Sequence, residues 1–186
     1  FYGHYLFYAE MKDAEGLKKR PTFMTDPRGD VEIFGQYYRQ MEMHLREAAE
    51  SIRAASPVVD QRHRLTFDAE ALPIRWFYHT ARTHANFYQS CRIRDELSAL
   101  RKKQNLSEAE KTVAARLIAD WKRVLEDERK NTLAALPIIQ QDMRLDPYYG
   151  GDHTFAHGEE MIKAKLAILQ EELAEYLPSI ERELAP

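Results

Sequence analysis

Apolar side chains recur at intervals of three and four residues in four long stretches of the chain, which is the spacing of amphipathic helices. The first predicted helix runs from about Val31 or Phe34 to Ala55. Its predicted inner line consists of Phe34, Tyr38, Met41, Leu45, Ala48 and Ile52. Ser56 precedes a proline, and a residue in that position avoids helical geometry, so the pattern predicts that the helix ends there.

Two longer helices are predicted next. The second starts at a cap formed by Thr66 or Asp68 and continues to about Lys103. The third starts at Ser107, which stands three residues before Glu110 and so makes a capping box. Because only a few residues separate these two helices, we expect them to form an antiparallel hairpin.

The last predicted helix follows a stretch rich in glycine and aromatic residues at 143–158. Its inward line is Ile162, Leu166, Leu169, Leu173 and Tyr176, and Pro178 is expected to end or kink it. The sequence therefore predicts an all-α fold, an antiparallel up-down bundle of four main helices in residues 29–186. Residues 1–28 form an N-terminal aromatic segment and turn, which we expect to pack on the bundle or on a missing domain. The chain opens as if within an element, so we expect it to be part of a longer protein.

The short link between the second and third helices also predicts their register. Residue numbers that face each other should sum to about 211, which places Cys91 near Trp121 and Thr83 or His84 near Glu128. A buried carboxylate needs a partner or takes up a proton. We therefore expect a structural polar layer of His84, Glu128 and Thr83, with a hydrogen bond from His84 to Glu128.

The amino-acid composition indicates a globular protein and excludes several functional classes. The chain has 186 residues, 44% hydrophobic and 31% charged, and its formal net charge is −3, which suits one globular domain. This balance carries no electrostatic footprint for nucleic acid or for an anionic membrane, and no apolar run approaches the length of a membrane span. The one cysteine, Cys91, excludes an intrachain disulfide and is expected to be a buried, inert thiol.

Up-down connectivity brings the loops at 56–66 and 143–158 to one end of the bundle. The residues expected to contact a substrate or another domain there are Tyr148, Tyr149, Asp152, His153, His157, Trp76 and His63. Aromatic faces at this end would suit sugar rings, and polar side chains would suit hydroxyl groups. His153 and His157 have a spacing that holds a metal on a helix, but neighbouring glycines argue against a helix. No metal, no other cofactor and no catalytic residue is expected in this chain.

Three runs of the sequence carry a family resemblance. They are YYRQMEMHLREAAESIRAA, HTARTHANFYQSCRIRDEL and DMRLDPYYGGDHTFAHGEEMIKAKLAIL. The marks within them are Asn86-Phe87-Tyr88 followed by Arg92 or Arg94, and the turn Asp142-x-Arg144-Leu145. With these marks, residues from about 30 to 175 resemble the C-terminal helical region of large bacterial glycoside-hydrolase-like proteins. Such proteins are similar to β-hexosaminidases and α-glucuronidases and have a barrel domain upstream.

The resemblance implies a role but transfers no catalytic residue, because the catalytic carboxylates of such enzymes would lie in the barrel. It implies an accessory, non-catalytic C-terminal module that supports the catalytic domain or contacts glycan. In this chain Asp146-Pro147-Tyr148 stands where the family pattern has Gly-Phe or Gly-Tyr. Two alternatives stay open: a stand-alone helical domain that binds a protein, and a metalloprotein that uses His153 and His157. The sequence predicts neither a compartment nor an oligomeric state.

Overall fold

The computed structural model describes residues 11–12, 18–19, 28–142, 145 and 158–184. A short antiparallel pair comes first, formed by β1 (Met11–Lys12) and β2 (Lys18–Lys19). The helices are α1 (Arg28–Ala55), α2 (Gln61–Arg101), α3 (Glu108–Gln141), α4 (Gly158–Glu171) and α5 (Leu177–Leu184). A 3-10 turn, Ser56–Val58, links α1 to α2, and a π-helical turn, Glu172–Tyr176, joins α4 to α5. The predicted all-α antiparallel bundle is therefore confirmed, with α4 and α5 together forming its fourth helix.

The link between α2 and α3 forms as predicted. The Ser107 hydroxyl accepts a hydrogen bond from the Glu110 amide, and the Glu110 carboxylate accepts one from the Ser107 amide at 2.8 Å. These bonds satisfy two of the amide groups that a helix start leaves without partners. Lys103 also donates to Glu110, and with Ser107 it lowers the pKa of that carboxyl to about 2.

The start of α2 differs from the prediction. The helix begins at Gln61, and its cap is Asp60, whose carboxylate accepts a hydrogen bond from the Arg62 amide at 2.8 Å. Thr66 and Asp68 lie inside the helix. The first turns of α2 are largely exposed, with Leu65 84% accessible, so no apolar spacing marks them in the sequence.

Pro178 was predicted to end or kink the last helix, and the first of these two outcomes is not found, because the chain stays helical to Leu184. Proline lacks an amide proton and collides with the carbonyl group four residues earlier in a regular helix. Here Pro178 stands in the first turn of α5, directly after the π-helical turn, where the Leu177 amide donates to the Glu172 carbonyl five residues back. The wider turn accommodates the proline without ending the helix.

The inner line predicted for α1 is partly wrong. Met41 is 49% accessible, whereas Gly35 is buried against α2. Phe34 is 46% accessible, although its ring stacks on Tyr88 of α2. A Cβ atom at Gly35 would lie 3.3 Å from the Cβ of Tyr88 on α2, so the small residue permits this close approach. Tyr38 does lie on the α2 side, where its ring stacks on Tyr88.

Two apolar clusters form the core. One joins α2, α3, α4 and α5 around Phe87, Trp121 and Leu125. The other lies nearer the α3–α4 connection, around Trp76 and Ile138. Among the described helices, none is long and apolar enough to cross a membrane.

Candidate functional site

Between the two apolar clusters lies a layer of buried polar side chains. Its members are Thr83 and Asn86 on α2, Glu128, Asn131 and Thr132 on α3, and Lys165 on α4. Glu128 is 0% accessible and Lys165 is 1% accessible. We call these six residues the polar layer.

The Glu128 carboxylate is the centre of the polar layer. Its Oε1 accepts hydrogen bonds from Thr83 Oγ1 at 2.7 Å and from Thr132 Oγ1 at 3.1 Å, and it also pairs with the Lys165 ammonium group. Its Oε2 accepts a hydrogen bond from Asn86 Nδ2 at 2.9 Å. Both oxygens are therefore bonded, as a buried carboxylate requires.

Lys165 connects α4 to this centre. Its Nζ donates to Thr83 Oγ1 at 3.1 Å as well as to Glu128. Burial lowers the pKa of Lys165, and the charge of Glu128 opposes that change. Removing each of two opposite charges from water costs several kcal/mol, and their attraction does little more than offset this cost. We therefore expect the pair to fix the relative position of α3 and α4 more than to add net stability.

His79 lies beside the polar layer and is bonded to one of its members, Asn131. Asn131 Nδ2 donates to Thr83 Oγ1 at 3.1 Å and to the His79 carbonyl at 2.9 Å, while its Oδ1 accepts from His79 Nδ1 at 2.8 Å. Burial lowers the pKa of His79, and the hydrogen bond to Asn131 opposes it. This histidine is thus favoured in its neutral form.

Arg82 and Asp127 form a half-buried ion pair at the edge of the hairpin. Arg82 Nε donates to Asp127 Oδ2 at 2.9 Å, and Arg82 Nη2 donates to Asp127 Oδ1. The other terminal nitrogen, Arg82 Nη1, donates to the Tyr78 hydroxyl at 2.7 Å. Burial raises the pKa of Asp127, but the hydrogen bonds from Arg82 and Asn86 outweigh it and leave the pKa lowered. The pair is held by directional bonds in addition to its charges.

These contacts agree with the predicted register. Thr83 with Glu128 sums to 211, and so does Ser90 with Trp121, whose Nε1 donates to the Ser90 hydroxyl at 3.0 Å. The expected meeting of Thr83 with Glu128 is therefore present.

The side chain of His84 is directed toward α1 and not, as predicted, toward Glu128 on α3. Its Nδ1 lies 2.8 Å from the Thr80 carbonyl oxygen, and its ring stacks on Tyr38 of α1 with centroids 4.5 Å apart. One residue along a helix turns the side chain by about 100°, so Thr83 faces α3 while His84 faces α1. Asn86, three residues after Thr83, shares its side and supplies the contact that was expected of His84.

The predicted loop-end site lies mostly outside the described residues, which do not include Tyr148, Tyr149, Asp152, His153 or His157. Of the other two members, His63 is exposed near the start of α2. Trp76 is 7% accessible and packs in the cluster with Ile138, so little of its ring is left for a ligand. Within the described ranges, no three His, Cys, Asp or Glu side chains stand close enough to share a metal ion.

An exposed apolar row on α1 is the surface feature that the sequence analysis missed. Its members are Ile33, Phe34, Tyr37 and Met41, which are 52%, 46%, 63% and 49% accessible. We call these four residues the α1 row. Their spacing of one, three and four residues does place them on one side of a helix, so the signal was present. It was hidden because the exposed apolar side of α1 adjoins the side that meets α2, and Phe34 lies at their boundary, half exposed and stacked on Tyr88.

Comparisons of the chain with protein-family models, with curated proteins and with solved structures found no match. The candidate site therefore rests on the geometry of these residues alone.

Proposed function

We propose that this chain is a non-catalytic helical module that docks through the α1 row against the catalytic domain of a carbohydrate-active enzyme. The observation that carries the proposal is the α1 row, with four large apolar side chains about half exposed along one side of a helix. Clustered aromatic and methionine side chains on a surface are typical of protein interfaces.

The packing of α1 supports a docking role. Among the described elements, α1 makes extensive contacts with α2 and far fewer with the 3-10 turn that follows it. Gln36 and Gln40 are exposed and uncharged, and they precede Tyr37 and Met41 in the chain. An apolar partner surface with hydrogen-bonding groups around it matches this chemistry.

The interior of the bundle supports a non-catalytic role. Lys165 and Glu128, the two charged groups of the polar layer, are almost fully enclosed and bonded to each other. A general acid or base must come within hydrogen-bonding reach of the substrate. The polar layer therefore acts as a structural element that holds α2, α3 and α4 together.

The nature of the partner rests on the resemblance of three runs of the sequence to the C-terminal helical region of glycoside-hydrolase-like proteins. In that arrangement the catalytic carboxylates belong to a barrel domain upstream. The module then supports the barrel, and the end of the bundle near His63 adjoins it or a glycan.

The test begins with the coding sequence upstream of Phe1 and the expression of the whole encoded protein. We expect a barrel domain that hydrolyses aryl glycosides and unfolds together with this module in calorimetry. The double variant Tyr37→Glu/Met41→Glu should separate the two unfolding transitions and lower the midpoint of the catalytic domain. Arg46→Glu, on another side of α1, is the matched control and should leave the transitions joined.

Two outcomes would reject this proposal. One is an encoded protein without a glycosidase-like domain. The other is joint unfolding that survives the Tyr37→Glu/Met41→Glu change. If the chain instead forms a dimer that these substitutions dissociate in sedimentation experiments, the alternative of a helical protein-interaction domain is favoured.

A further inference from the structure

His79 lies on the side of α2 that meets α3, beside the polar layer. Its backbone carbonyl oxygen accepts a hydrogen bond from Asn131 Nδ2, which lies 2.9 Å away. Its ring nitrogen Nδ1 lies 2.8 Å from Asn131 Oδ1. Asn131 therefore holds both the backbone and the ring of this histidine, and the second ring nitrogen, Nε2, is left for other contacts.

These contacts define the tautomer of His79. A carbonyl oxygen only accepts, so the Asn131 atom that faces it must be the amide nitrogen, and the atom that faces the ring must be Oδ1. Since Oδ1 also only accepts, the proton of the neutral ring is on Nδ1. Burial above all, and then the charges of Arg75 and Arg82, lower the pKa of His79, although the bond to Asn131 opposes them. At neutral pH the ring therefore presents Nε2 as an unprotonated acceptor.

The acceptor Nε2 of His79 is open to solvent. No described side chain donates to it, and it is not among the enclosed polar atoms that lack a partner. Ala134, one helical turn after Asn131, is exposed, and its small side chain leaves the approach from α3 open. An oriented acceptor that the protein does not use itself is suited to a ligand that donates a hydrogen bond.

Three cationic side chains surround this acceptor. Arg75 and Arg82 stand one helical turn before and after His79, which places their Cβ atoms about 5–6 Å from its own. Lys130 precedes Asn131 on α3. Arg75 and Lys130 are exposed, and neither is paired with an acidic group among the described residues. Their charges are therefore available to a ligand.

Arg82 keeps free donors despite its pair with Asp127. A guanidinium group has five N–H bonds, and Asp127 and Tyr78 take three of those of Arg82. Asp127 is also the one carboxylate bonded to these three cations within the described ranges. The edge of the hairpin thus favours an anion, whereas a metal cation at Nε2 of His79 would be repelled by two guanidinium groups.

A ligand that fits both features carries a negative charge and a neighbouring hydroxyl group. We propose that His79, Arg75, Arg82 and Lys130 form a binding site for a hydroxycarboxylate, whose carboxylate is held by the cations and whose hydroxyl donates to Nε2. The ring of Tyr78, with its centroid 4.9 Å from that of His79, is the adjacent apolar surface. The site goes beyond the docking role of the α1 row and does not rest on it, because its residues belong to α2 and α3.

NMR titration of the whole chain at pH 7.5 and low salt tests the site with three ligands of similar size. Lactate has both the charge and the hydroxyl, propionate lacks the hydroxyl, and lactamide lacks the charge. We expect lactate to shift the signals of His79 and Arg75 and to bind about 2- to 10-fold more tightly than propionate, which is the range for one hydrogen bond. Lactamide should bind about 2- to 5-fold more weakly than lactate. Equal affinities for lactate and propionate would overturn the proposal.

Two variants separate the hydrogen bond from the charge. His79→Phe should bind lactate and propionate equally, because the acceptor is gone. Arg75→Gln should weaken the binding of both by a similar factor and keep the preference for lactate. The control is Arg116→Gln, which removes an exposed charge about 22 Å along α3 from Asn131 and should change neither affinity. A preference for lactate that survives His79→Phe would reject the site.

The tautomer is tested without any ligand or variant. Long-range proton–nitrogen NMR should show the His79 ring protonated at Nδ1 alone at pH 7.5. A ring protonated at Nε2 would have no acceptor for the hydroxyl, so this result would overturn the proposal. This measurement and the comparison of lactate with propionate both hold even if His79→Phe fails to fold.

Discussion

The two sides of α2 are built in different ways. Toward α3 and α4, it presents Thr83 and Asn86, and their directional bonds to Glu128 and Lys165 are enclosed between two apolar clusters. Toward α1, it presents the rings of His84 and Tyr88, which stack on a helix whose outer side is half exposed. One helix thus joins a core held by directional polar bonds on one side to a helix held by stacked rings and close packing on the other.

The difference shows how register is specified. A slip of α3 along α2 would leave Glu128 buried without its partners, which costs several kcal/mol. A slip of α1 would exchange one ring contact for another at lower cost, and Gly35 is the position that most restricts it. We therefore expect substitutions in the polar layer to affect the whole fold and substitutions at the rings to affect α1.

The largest expected effect comes from removing one charge of the polar layer. Glu128→Leu should lower the free energy of unfolding by about 3–5 kcal/mol, because it leaves the buried ammonium group of Lys165 without the Glu128 carboxylate that balances its charge. The double variant Glu128→Leu/Lys165→Met should be clearly more stable than Glu128→Leu alone. Urea unfolding followed by circular dichroism measures both, with Lys111→Met, from an exposed pair with Glu108, as the control. A single variant as stable as the wild type would contradict the role given to the layer.

Acid should weaken both sides of α2 through its two half-buried histidines. The pKa values of His79 and His84 are lowered in the folded state, so their contribution is complete above the unfolded value of about 6.5 and is lost as the pH falls toward the folded values. The loss is at most about 1.4 kcal/mol per pH unit for each histidine. Urea midpoints between pH 7.5 and 5.5 should fall, and the double variant His79→Gln/His84→Phe should flatten this dependence. An equally steep dependence in the double variant would show that other groups titrate.

Two adjacent tyrosines separate the inner and outer sides of α1. Tyr38→Ala should cost about 1–3 kcal/mol in the local stability of α1, since it removes the stacking on His84 and Tyr88. Tyr37→Ala, at a side chain 63% accessible, should change stability by less than about 0.5 kcal/mol. Amide exchange in α1 measures both. Equal effects of the two variants would mean that the α1 row is covered in solution.

The smallest expected effects concern the two helix caps. Ser107→Ala should cost about 1 kcal/mol in the urea unfolding of the whole chain, because it opens the start of α3. Asp60→Ala should cost a similar amount at the start of α2 but act mainly on amide exchange near the α1–α2 turn. If Asp60→Ala lowered the global midpoint more than Ser107→Ala, the start of α2 would be more firmly integrated into the fold than its exposure indicates.

The sequence did not predict the long-range contacts of α4 or the direction in which individual side chains point. The hairpin register was predictable, since the link at Asn105 and Leu106 is short and helical rise is constant. Lys165 was not, because α4 follows a connection too long to transmit register. The bond from Asn86 to Glu128 was missed for a related reason, since a few tens of degrees of helix rotation decide which of two neighbours faces a partner.

The sequence by itself determined the all-α class, the approximate helices, the Ser107 cap and the pairing of α2 with α3, because these follow from local spacing and a short turn. Only the tertiary structure decided which apolar side of α1 is covered, which helix supplies the charge beside Glu128, and which way His84 faces. These depend on the rotation of whole helices about their axes, and that rotation is set by all their neighbours at once.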